Sequence, residues 1–340
     1  MTALRKQLAT KINHSESLIG LLHSKSNVLS LLLELWKICR AHPDAINYLT
    51  NNATKAKNKI DYKYKFPKEF DSFRRKTNPK KNLSQLFATK ATLCKKLDML
   101  AEKLSTTKSI ILVGDDDLLS IVLGFNFKNL DILVLDIDKG VLGCIDKVSK
   151  KYNLRIKTRY YDVRKPLPQN LAGRFDYFIF DSSHCLGGYV SFLTRALLSL
   201  KKEKHVRGQF VLQLIDDPPV FTKRERKKLF DYIKRRGFIV KRIAPESVEY
   251  DLPENLLTKF TFELCNLFKS GEPSKEKLRD FLLKFNFAEF MPYNSLLPEA
   301  IIELWYEKTQ SISNDFYHKD WENTYGSMYF YKEYERKQRA

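Results

Sequence analysis

The segment Ile110-Ile-Leu-Val-Gly-Asp-Asp-Asp-Leu-Leu-Ser120 is the strongest indication of how this chain folds. Its apolar run predicts a buried β-strand, and the glycine and three aspartates after it mark the carboxyl end of that strand. Adjacent carboxylates repel one another, so the cluster is costly unless cations or hydrogen-bond donors satisfy it. We therefore predict a site at this strand end.

Length and composition limit the class of protein. The 340 residues are 43% hydrophobic, which is enough for a core and suggests about two domains. Apolar runs stay well short of the roughly 18–20 residues that span a bilayer, and Met1-Thr-Ala-Leu-Arg-Lys6 lacks the apolar region of a signal peptide. Five cysteines without a Cys-x-x-Cys pair indicate reduced thiols rather than a disulfide framework or a zinc site. We expect a cytoplasmic protein with no metal and no membrane partner.

The chain is strongly basic, with 60 Lys and Arg against 40 Asp and Glu. Residues 54–81 interleave many of these lysines and arginines with tyrosines and phenylalanines, a composition that can neutralise phosphates and stack on bases. The alternative, which we favour, is a solvated lysine-rich surface or linker. Nucleic acid therefore stays an open but less favoured partner.

Strand and helix patterns alternate from Leu83 onward. Strands are predicted at Ser109–Val113, Leu130–Leu135, Arg155–Tyr161, Phe175–Phe180 and Gln209–Ile215, with further candidates at Phe238–Ile243 and Phe260–Leu267. Helices are predicted at Leu118–Leu123, Lys139–Lys150, Val190–Leu200 and Thr222–Arg235. Such alternation predicts an α/β fold with a largely parallel sheet covered by helices on both faces.

Three regions are expected. Residues 1–82 contain helical patterns at Ser15–Leu22 and Asn27–Ile38 and predict a small N-terminal domain that includes the basic segment. Residues 83–268 form the α/β domain. Residues 269–340 are predicted to be a helical, aromatic-rich extension that packs on the core or on a partner subunit, which leaves a homodimer open.

Ligands of parallel α/β sheets bind at the carboxyl ends of the strands. Here five successive strand ends are acidic: Asp115–Asp117, Asp136 with Asp138, Asp162, Asp181, and Asp216 with Asp217. One acidic strand end is ordinary. Five in succession predict that this edge of the sheet holds a binding site.

Two of these strand ends suit a nucleoside. Asp136 is placed to accept both ribose hydroxyls, and Asp162 to accept from an adenine amino group, although each could instead cap a helix. The Gly-x-Gly-x-x-Gly motif that would hold a pyrophosphate is missing, which favours an S-adenosyl ligand over NAD. We assign Gly114, Asp115, Asp136, Asp138 and Asp162 to the binding of this ligand.

The fourth strand ends in Asp181-Ser-Ser-His184, where a transferred group would meet its acceptor. An aliphatic amine with a pKa of about 10.4 is protonated at neutral pH and must lose its proton before it attacks. A carboxylate can hold the ammonium and accept that proton. Asp181 is our first candidate for the catalytic base and His184 the second; the alternative for His184 is a hydrogen-bonded loop residue.

The triple aspartate discriminates between donors. S-adenosylmethionine carries a carboxylate that three aspartates would repel, whereas its decarboxylated form carries only cationic groups. The cluster therefore favours an aminopropyl donor over a methyl donor and also suits a polycationic acceptor. We assign Asp116 and Asp117 to substrate binding.

Four segments in register resemble the branched-chain polyamine synthase family, the N4-bis(aminopropyl)spermidine synthases. They are Gly114–Ser120, Val134–Asp138, Tyr161–Pro168 and Gly173–Asp181, within a resemblance that covers about residues 83–255. The resemblance implies a Rossmann-like methyltransferase fold with a mostly parallel seven-stranded sheet, preceded by a winged-helix-like domain. It also implies transfer of an aminopropyl group from decarboxylated S-adenosylmethionine to a polyamine such as spermidine, with release of methylthioadenosine.

The chain departs from the family pattern in two places. Ser84-Gln-Leu-Phe-Ala-Thr-Lys-Ala-Thr92 stands where the family resembles Asp-Gln-x-x-x-Thr-Pro-Glu-Thr, and Asp181-Ser-Ser-His184 replaces Asp-Pro-Pro-Tyr. Asp-Ser-Ser is similar instead to linear spermidine synthases, so the acceptor and the branching of the product stay open. Glu246–Asp251 resembles an acidic segment near the acceptor in the family, which implies substrate contacts for Glu249 and Tyr250; the alternative is a surface loop.

Two other functions remain open. One is a methyltransferase that acts on RNA or protein and uses residues 54–81 for docking. The other is a non-catalytic relative of the fold that binds nucleic acid or a partner protein, because the motif at Asp181 is altered. Binding of the two forms of the donor would separate the first from an aminopropyltransferase.

Overall fold

The computed structural model describes residues 28–41, 62–77, 80, 83, 85, 87–103, 107–182, 185–201, 207–213, 221–244, 248, 250–251, 254–285 and 299–306. The predicted helix at Ser15–Leu22, the first part of the basic segment (residues 54–61), His184, Asp216, Asp217, Glu249 and the aromatic residues after 306 lie outside this set.

A seven-stranded sheet forms the centre of the molecule. Its strands are β1 (Ser109–Val113), β2 (Asp131–Asp136), β3 (Ile156–Tyr160), β4 (Tyr177–Phe180), β5 (Arg207–Gln213), β6 (Phe238–Ala244) and β7 (Glu299–Tyr306). They lie in the order β3-β2-β1-β4-β5-β7-β6. The first five strands are parallel, and β7 runs antiparallel to both β5 and β6. The predicted fold class, a mostly parallel seven-stranded sheet, is confirmed.

The register of the parallel strands brings the acidic strand ends together. Val113 pairs with Leu135 of β2 and with Phe180 of β4, while Asp136 pairs with Tyr160 of β3. The residues that follow β1, β2 and β4 therefore emerge side by side at one edge of the sheet, which is the edge that the sequence marked as a site.

Helices cover both faces of the sheet. They are α1 (Val28–Ala41), α2 (Phe70–Thr77), α3 (Lys90–Ala101), α4 (Leu119–Asn126), α5 (Lys139–Tyr152), α6 (Leu186–Ser199), α7 (Lys223–Arg235), α8 (Glu254–Lys269) and α9 (Lys275–Phe285). Alternate residues of a strand point to opposite faces. Accordingly Leu112 joins the apolar cluster that includes α3, α4 and α5, whereas Val113 joins the one that includes α6 and α7. Because both faces are covered, the central strands are almost wholly apolar: β4 is buried at every position and β1 at all but its first.

Two element predictions were wrong. Phe260–Leu267, predicted as a strand because it is rich in β-prone residues, lies inside α8, where Phe260, Leu264 and Phe268 are buried at four-residue spacing. Glu299–Tyr306 lies in the region predicted to be a helical extension, yet it forms β7 and separates β5 from β6. Burial of both Ile301 and Ile302 stabilises it as a central strand. The remaining domain boundaries stay predictions.

The N-terminal residues that the structure describes pack onto the α/β core. Trp36 Nε1 of α1 donates to the carbonyl of Phe268 at 3.3 Å. Arg74 of α2 is 4% exposed and donates to the carbonyl of Ala88 at 2.6 Å. Within the described helices, none is long and apolar enough to cross a membrane.

Candidate active site

Gly114 turns the chain where β1 ends. Its φ of 82° is a backbone conformation that side chains other than glycine rarely adopt. Its amide donates to the carbonyl of Leu135 at 2.7 Å, and a Cβ at this position would lie 3.5 Å from the carbonyl oxygen of Asp181. The glycine thus lets the loop after β1 lie against the ends of both neighbouring strands.

Asp136, at the end of β2, fixes that loop. One carboxylate oxygen accepts from the amide of Asp115 at 2.9 Å, and the other accepts from the amide of Asp138 at 2.7 Å. Burial raises the pKa of Asp136 to about 6, against the opposing effect of these backbone donors. Each carboxylate oxygen accepts more than one hydrogen bond. Asp136 therefore retains the capacity for ribose hydroxyls, and its predicted ribose role stays a prediction.

Asp115 caps α4 rather than facing outward. Its two oxygens lie 3.3 and 3.2 Å from the amide of Ser120, and the residue is 3% exposed. Burial raises the pKa of this carboxyl well above its ordinary value, although the hydrogen bonds from Ser120 oppose the shift. Its predicted role in binding the nucleoside is not tested by these contacts.

Asp138 caps α5, which was the alternative reading of these strand-end acids. It accepts from the amide of Gly140 at 2.8 Å, from Lys80 Nζ at 2.5 Å and from Gln85 Nε2 at 3.0 Å. The residue is 1% exposed. Asp138 therefore ties the segment before α3 to the end of β2, and its predicted contact with a ligand stays a prediction.

Asp162 is paired with a neighbouring arginine. Arg164 donates to it through Nε at 2.9 and 3.1 Å, through Nη2 at 2.6 Å and through its amide at 3.0 Å. A paired guanidinium is a strong and directional partner. The adenine contact proposed for Asp162 would have to share the carboxylate with Arg164, and it too stays a prediction.

Asp117 is neutralised by a lysine that the sequence analysis did not single out. One oxygen accepts from the amide of Ala88 at 2.6 Å, and the other forms an ion pair with Lys96 Nζ at 2.9 Å. Both side chains are close to fully buried, at 6% and 4% exposed. Its neighbour Asp116 is partly exposed, and burial together with the charges of Asp117, Asp181 and Asp136 raises its pKa well above the ordinary value.

Lys96 lies on the buried face of α3, between Leu93 and Leu97, so its apolar stem packs with them. Burial by itself would lower the pKa of its ammonium, but the carboxylates of Asp117, Asp181 and Asp116 outweigh burial and raise it. The ammonium is therefore charged. The signal that sequence reasoning missed is a lysine at core spacing among the leucines of an amphipathic helix.

Asp181, directly after β4, differs from the other strand-end acids. Its Oδ2 lies 3.4 Å from Lys96 Nζ, while its Oδ1 is buried and finds no hydrogen-bond partner among the residues that the structure describes. Burial raises the pKa of Asp181 to about 6, and Asp117 adds to the rise, whereas Lys96 and a backbone hydrogen bond from Ser182 oppose it. A buried acceptor without a partner is costly in a folded protein. Its position suits a group that receives a donor from a ligand.

Tyr250 is brought to the same cluster from the far end of the core. It forms an antiparallel bridge with Ala88, whose amide donates to Asp117. Tyr250 is 2% exposed, so the alternative of a surface loop is wrong for this residue. Asp251, next to it, pairs with Arg74 at 2.9 Å. Its predicted contact with a substrate stays a prediction.

The structure also shows the state of the cysteines and whether the described side chains could hold a metal ion. The five cysteines are free thiols in the structure. In the described ranges, His, Cys, Asp and Glu do not form any group of three or more that could hold a metal ion.

Comparison with known proteins finds one matching family and several relatives of similar sequence. Residues 68–251 match the branched-chain polyamine synthase A C-terminal domain. An uncharacterized protein of Methanocaldococcus jannaschii is 32% identical over 181 residues, which are 53% of this chain and 44% of that protein. An N(4)-bis(aminopropyl)spermidine synthase of the same organism is 35% identical over 98 residues, 28% of each chain. The chain thus covers less than half the length of these curated relatives.

A solved structure shows the same fold. The branched-chain polyamine synthase from Thermus thermophilus, in complex with N4-aminopropylspermidine and 5'-methylthioadenosine, superposes with a TM-score of 0.59. The match covers 93% of this chain and 90% of that one at 12% identity. At this identity the likeness concerns the fold.

Proposed function

The chain belongs to the branched-chain polyamine synthase family, and from this we propose that it transfers an aminopropyl group from decarboxylated S-adenosylmethionine to an amine of a polyamine. The matched residues, 68–251, contain the acidic edge of the sheet from Gly114 to Asp181. Relatives named N(4)-bis(aminopropyl)spermidine synthase support the proposal. The observation that carries it is the buried Oδ1 of Asp181, beside a cluster of acids, for which the described part of the chain supplies no hydrogen-bond partner.

The donor is proposed to bind along the ends of β1 and β2. Asp136 would accept the ribose hydroxyls, and the nucleoside would lie beside the turn at Gly114, where φ is 82°. Because Lys96 already balances Asp117, selection against the carboxylate of S-adenosylmethionine falls to Asp116 and Asp181. Two acids close to the donor's tail still favour the form that has lost its carboxylate.

Asp181 is proposed to act as the base. The acceptor arrives as an ammonium, Asp181 takes one proton, and the nitrogen lone pair then forms a bond to the carbon of the aminopropyl group that is attached to the sulfonium sulfur. The carbon–sulfur bond breaks and its electron pair goes to sulfur, which leaves 5'-methylthioadenosine. Because the pKa of Asp181 is about 6, its carboxyl group is ionised at neutral pH and can accept that proton. We place the reaction in the cytoplasm, which suits the free thiols.

A single incubation tests this function. The full chain is mixed with spermidine and decarboxylated S-adenosylmethionine, and mass spectrometry follows both the polyamine and methylthioadenosine. We expect a polyamine one aminopropyl group heavier, with an equal amount of methylthioadenosine. Methyl transfer from S-adenosylmethionine, with no product from the decarboxylated donor, would instead identify a methyltransferase. No turnover with either donor, together with salt-sensitive RNA binding, would identify a binding protein.

A further inference from the structure

Lys96 is a buried cation in the middle of an acidic site. Its Nζ lies 2.9 Å from Asp117 Oδ2 and 3.4 Å from Asp181 Oδ2, and its side chain is 4% exposed. A buried ion pair contributes little net stability compared with an apolar group of the same size. The arrangement therefore calls for a reason other than stability.

We propose that Lys96 is a positioning residue for group transfer: it holds Oδ2 of Asp181, so that the unpartnered Oδ1 is presented to the acceptor amine. The inference rests on the proposed aminopropyl transfer. It assigns Lys96 no contact with either substrate, and its effect on the reaction is exerted through Asp181.

The ammonium of Lys96 is well placed to fix a carboxylate. Thr89 caps α3 by accepting from the amide of Thr92 at 3.2 Å, which sets where the helix begins. Gln209 Nε2 of β5 donates to the carbonyl of Lys96 at 3.2 Å, which holds the middle of the helix against the sheet. Asp117 binds the ammonium at the end of the side chain at 2.9 Å. With both ends fixed, Lys96 can hold Asp181 in one orientation.

Charge balance also follows from this triad of Lys96, Asp117 and Asp181. One ammonium lies between the two carboxyl groups of Asp117 and Asp181, so the triad has one more acidic group than basic groups, which suits a single incoming ammonium. Without Lys96, the loop after β1 and the end of β4 would hold Asp116, Asp117 and Asp181 with no cation from the described ranges paired to Asp117 or Asp181. Like charges at such distances drive carboxyl groups to keep their protons. A protonated Asp181 cannot serve as a base.

Substitution of Lys96 tests the proposal through the pH dependence of the reaction. The groups that face Asp181 are Lys96 from α3 and Asp116 and Asp117 from the loop after β1. Because Lys96 lowers the pKa of Asp181, Lys96→Met should move the acidic limb of kcat upward by about one pH unit or more. It should also lower kcat at pH 7 by roughly 10- to 100-fold, with little change in the KM of the donor.

Two matched variants serve as controls for this measurement. Lys96→Arg keeps the charge and should return the acidic limb to within a few tenths of a pH unit of the wild type. Lys147→Met removes an exposed lysine from α5 and should leave the whole profile unchanged. A folded Lys96→Met protein with the wild-type acidic limb and wild-type kcat would overturn the proposal.

Removal of a buried cation can also prevent folding. Asp117→Asn and the double variant Lys96→Met with Asp117→Asn address this, because the double variant removes the cation together with its nearer carboxylate. The carboxyl carbon of Asp181 is then titrated by NMR in both proteins, which needs no turnover. A higher pKa in the double variant supports the proposal, and equal values overturn it. If instead the wild-type chain transfers no aminopropyl group, the proposed function fails while this titration still reports on Lys96.

Discussion

The ends of β2 and β4 both carry aspartates, but the carboxylates at the two ends differ in how fully they are hydrogen-bonded. At the end of β2, Asp136 and Asp138 have all four carboxylate oxygens bonded to protein donors, among them the amide of Asp115 and the side chains of Lys80 and Gln85. At the end of β4, Asp181 keeps one buried oxygen for which the described residues supply no donor. At one edge of the sheet, the carboxylates that follow β2 therefore connect parts of the fold, whereas the carboxylate that follows β4 is a candidate reactive group.

The difference between these two strand ends shows what identifies a reactive acid. Burial is common to both, since it raises the pKa of Asp136 and of Asp181 to about 6. Hydrogen bonding separates them, because backbone amides at a helix start satisfy a carboxylate and an unfilled acceptor calls for a ligand. A raised pKa alone therefore does not single out Asp181, and the unfilled oxygen is the reason that we propose it as the base.

The largest effect is expected from Asp181→Asn. An amide cannot accept the proton of the acceptor amine, so we expect kcat to fall by about 10²- to 10⁴-fold. Stability should not fall with it. The pKa of Asp181 is raised from 3.8 to about 6 in the folded state, so this carboxyl favours folding below its unfolded pKa and loses that contribution as pH rises through about 6. At pH 7 a neutral side chain should add up to about 3 kcal/mol.

Mass spectrometry of the product and thermal unfolding at pH 5 and pH 7 check both halves of this prediction. The gain in stability over the wild type should be larger at pH 7 than at pH 5. If Asp181→Asn turned over at a rate close to that of the wild type, Asp181 would not be the base. The end of β4 would then be no more reactive than the end of β2.

The next effect is expected from Asp138→Ala, at the end of β2. The change removes a helix cap, worth about 0.5–2 kcal/mol, and leaves the buried amide of Gln85 without an acceptor, at a cost of about 1–3 kcal/mol. We expect chemical denaturation to show a loss of roughly 2–4 kcal/mol, while kcat per folded molecule changes far less than in Asp181→Asn.

Asp138→Asn is the matched control, since it keeps an acceptor for the cap of α5 and should lose less stability. If instead Asp138→Ala kept its stability and lost affinity for methylthioadenosine in calorimetry, Asp138 would bind the ligand as the sequence predicted. The contrast between the two strand ends would then disappear.

A smaller effect is expected from Gly114→Ala, between the two strand ends. A Cβ has space there, at 3.5 Å from the carbonyl oxygen of Asp181 and 3.6 Å from the ring of Phe192, so the cost is the backbone conformation at φ 82°. That conformation costs about 1–2 kcal/mol for a residue with a side chain. Gly143→Ala in α5, whose added Cβ would meet nothing within 4 Å, should instead stabilise by about 0.5–1 kcal/mol.

Differential scanning calorimetry of these two alanine variants provides the comparison. Equal changes in Tm at both positions would show that the turn at Gly114 carries no strain. It would then not be the feature that sets the spacing between the loop after β1 and Asp181.

Local patterns were sufficient to predict the sheet and the edge that carries the site. Helices lie between successive strands from β1 to β6, except that only a short 3₁₀ turn at Gln169–Leu171 separates β3 from β4. Parallel strands necessarily bring their carboxyl ends to one edge, so Asp136 and Asp181 were placed together from spacing alone. The alternation ends after β6. Glu299–Tyr306 follows two helices and then pairs antiparallel with β5 and β6. This pairing joins segments that are far apart in sequence, so the local hydrophobic pattern does not predict it.

Partners of the acids could not be predicted in the same way. Lys96 meets Asp181 across 85 residues of sequence, and Lys80 meets Asp138 across 58. A spacing rule finds neighbours within a helix or along a strand, and it carries no information on which distant side chain closes a charge cluster. Sequence reasoning therefore named the acids and missed the cation.

The smallest effect is expected at the opposite end of β2. Arg155 pairs with Asp131 at 2.7 Å, where both side chains are more than half exposed. Exposed pairs contribute at most about 1 kcal/mol, so Arg155→Gln should change the free energy of unfolding by less than that and leave kcat unchanged. Thermal unfolding and steady-state turnover measured side by side check this. Because Asp131 begins the strand that Asp136 ends, a loss of turnover in Arg155→Gln would show that β2 transmits changes along its length, and the function could no longer be assigned to the carboxyl edge alone.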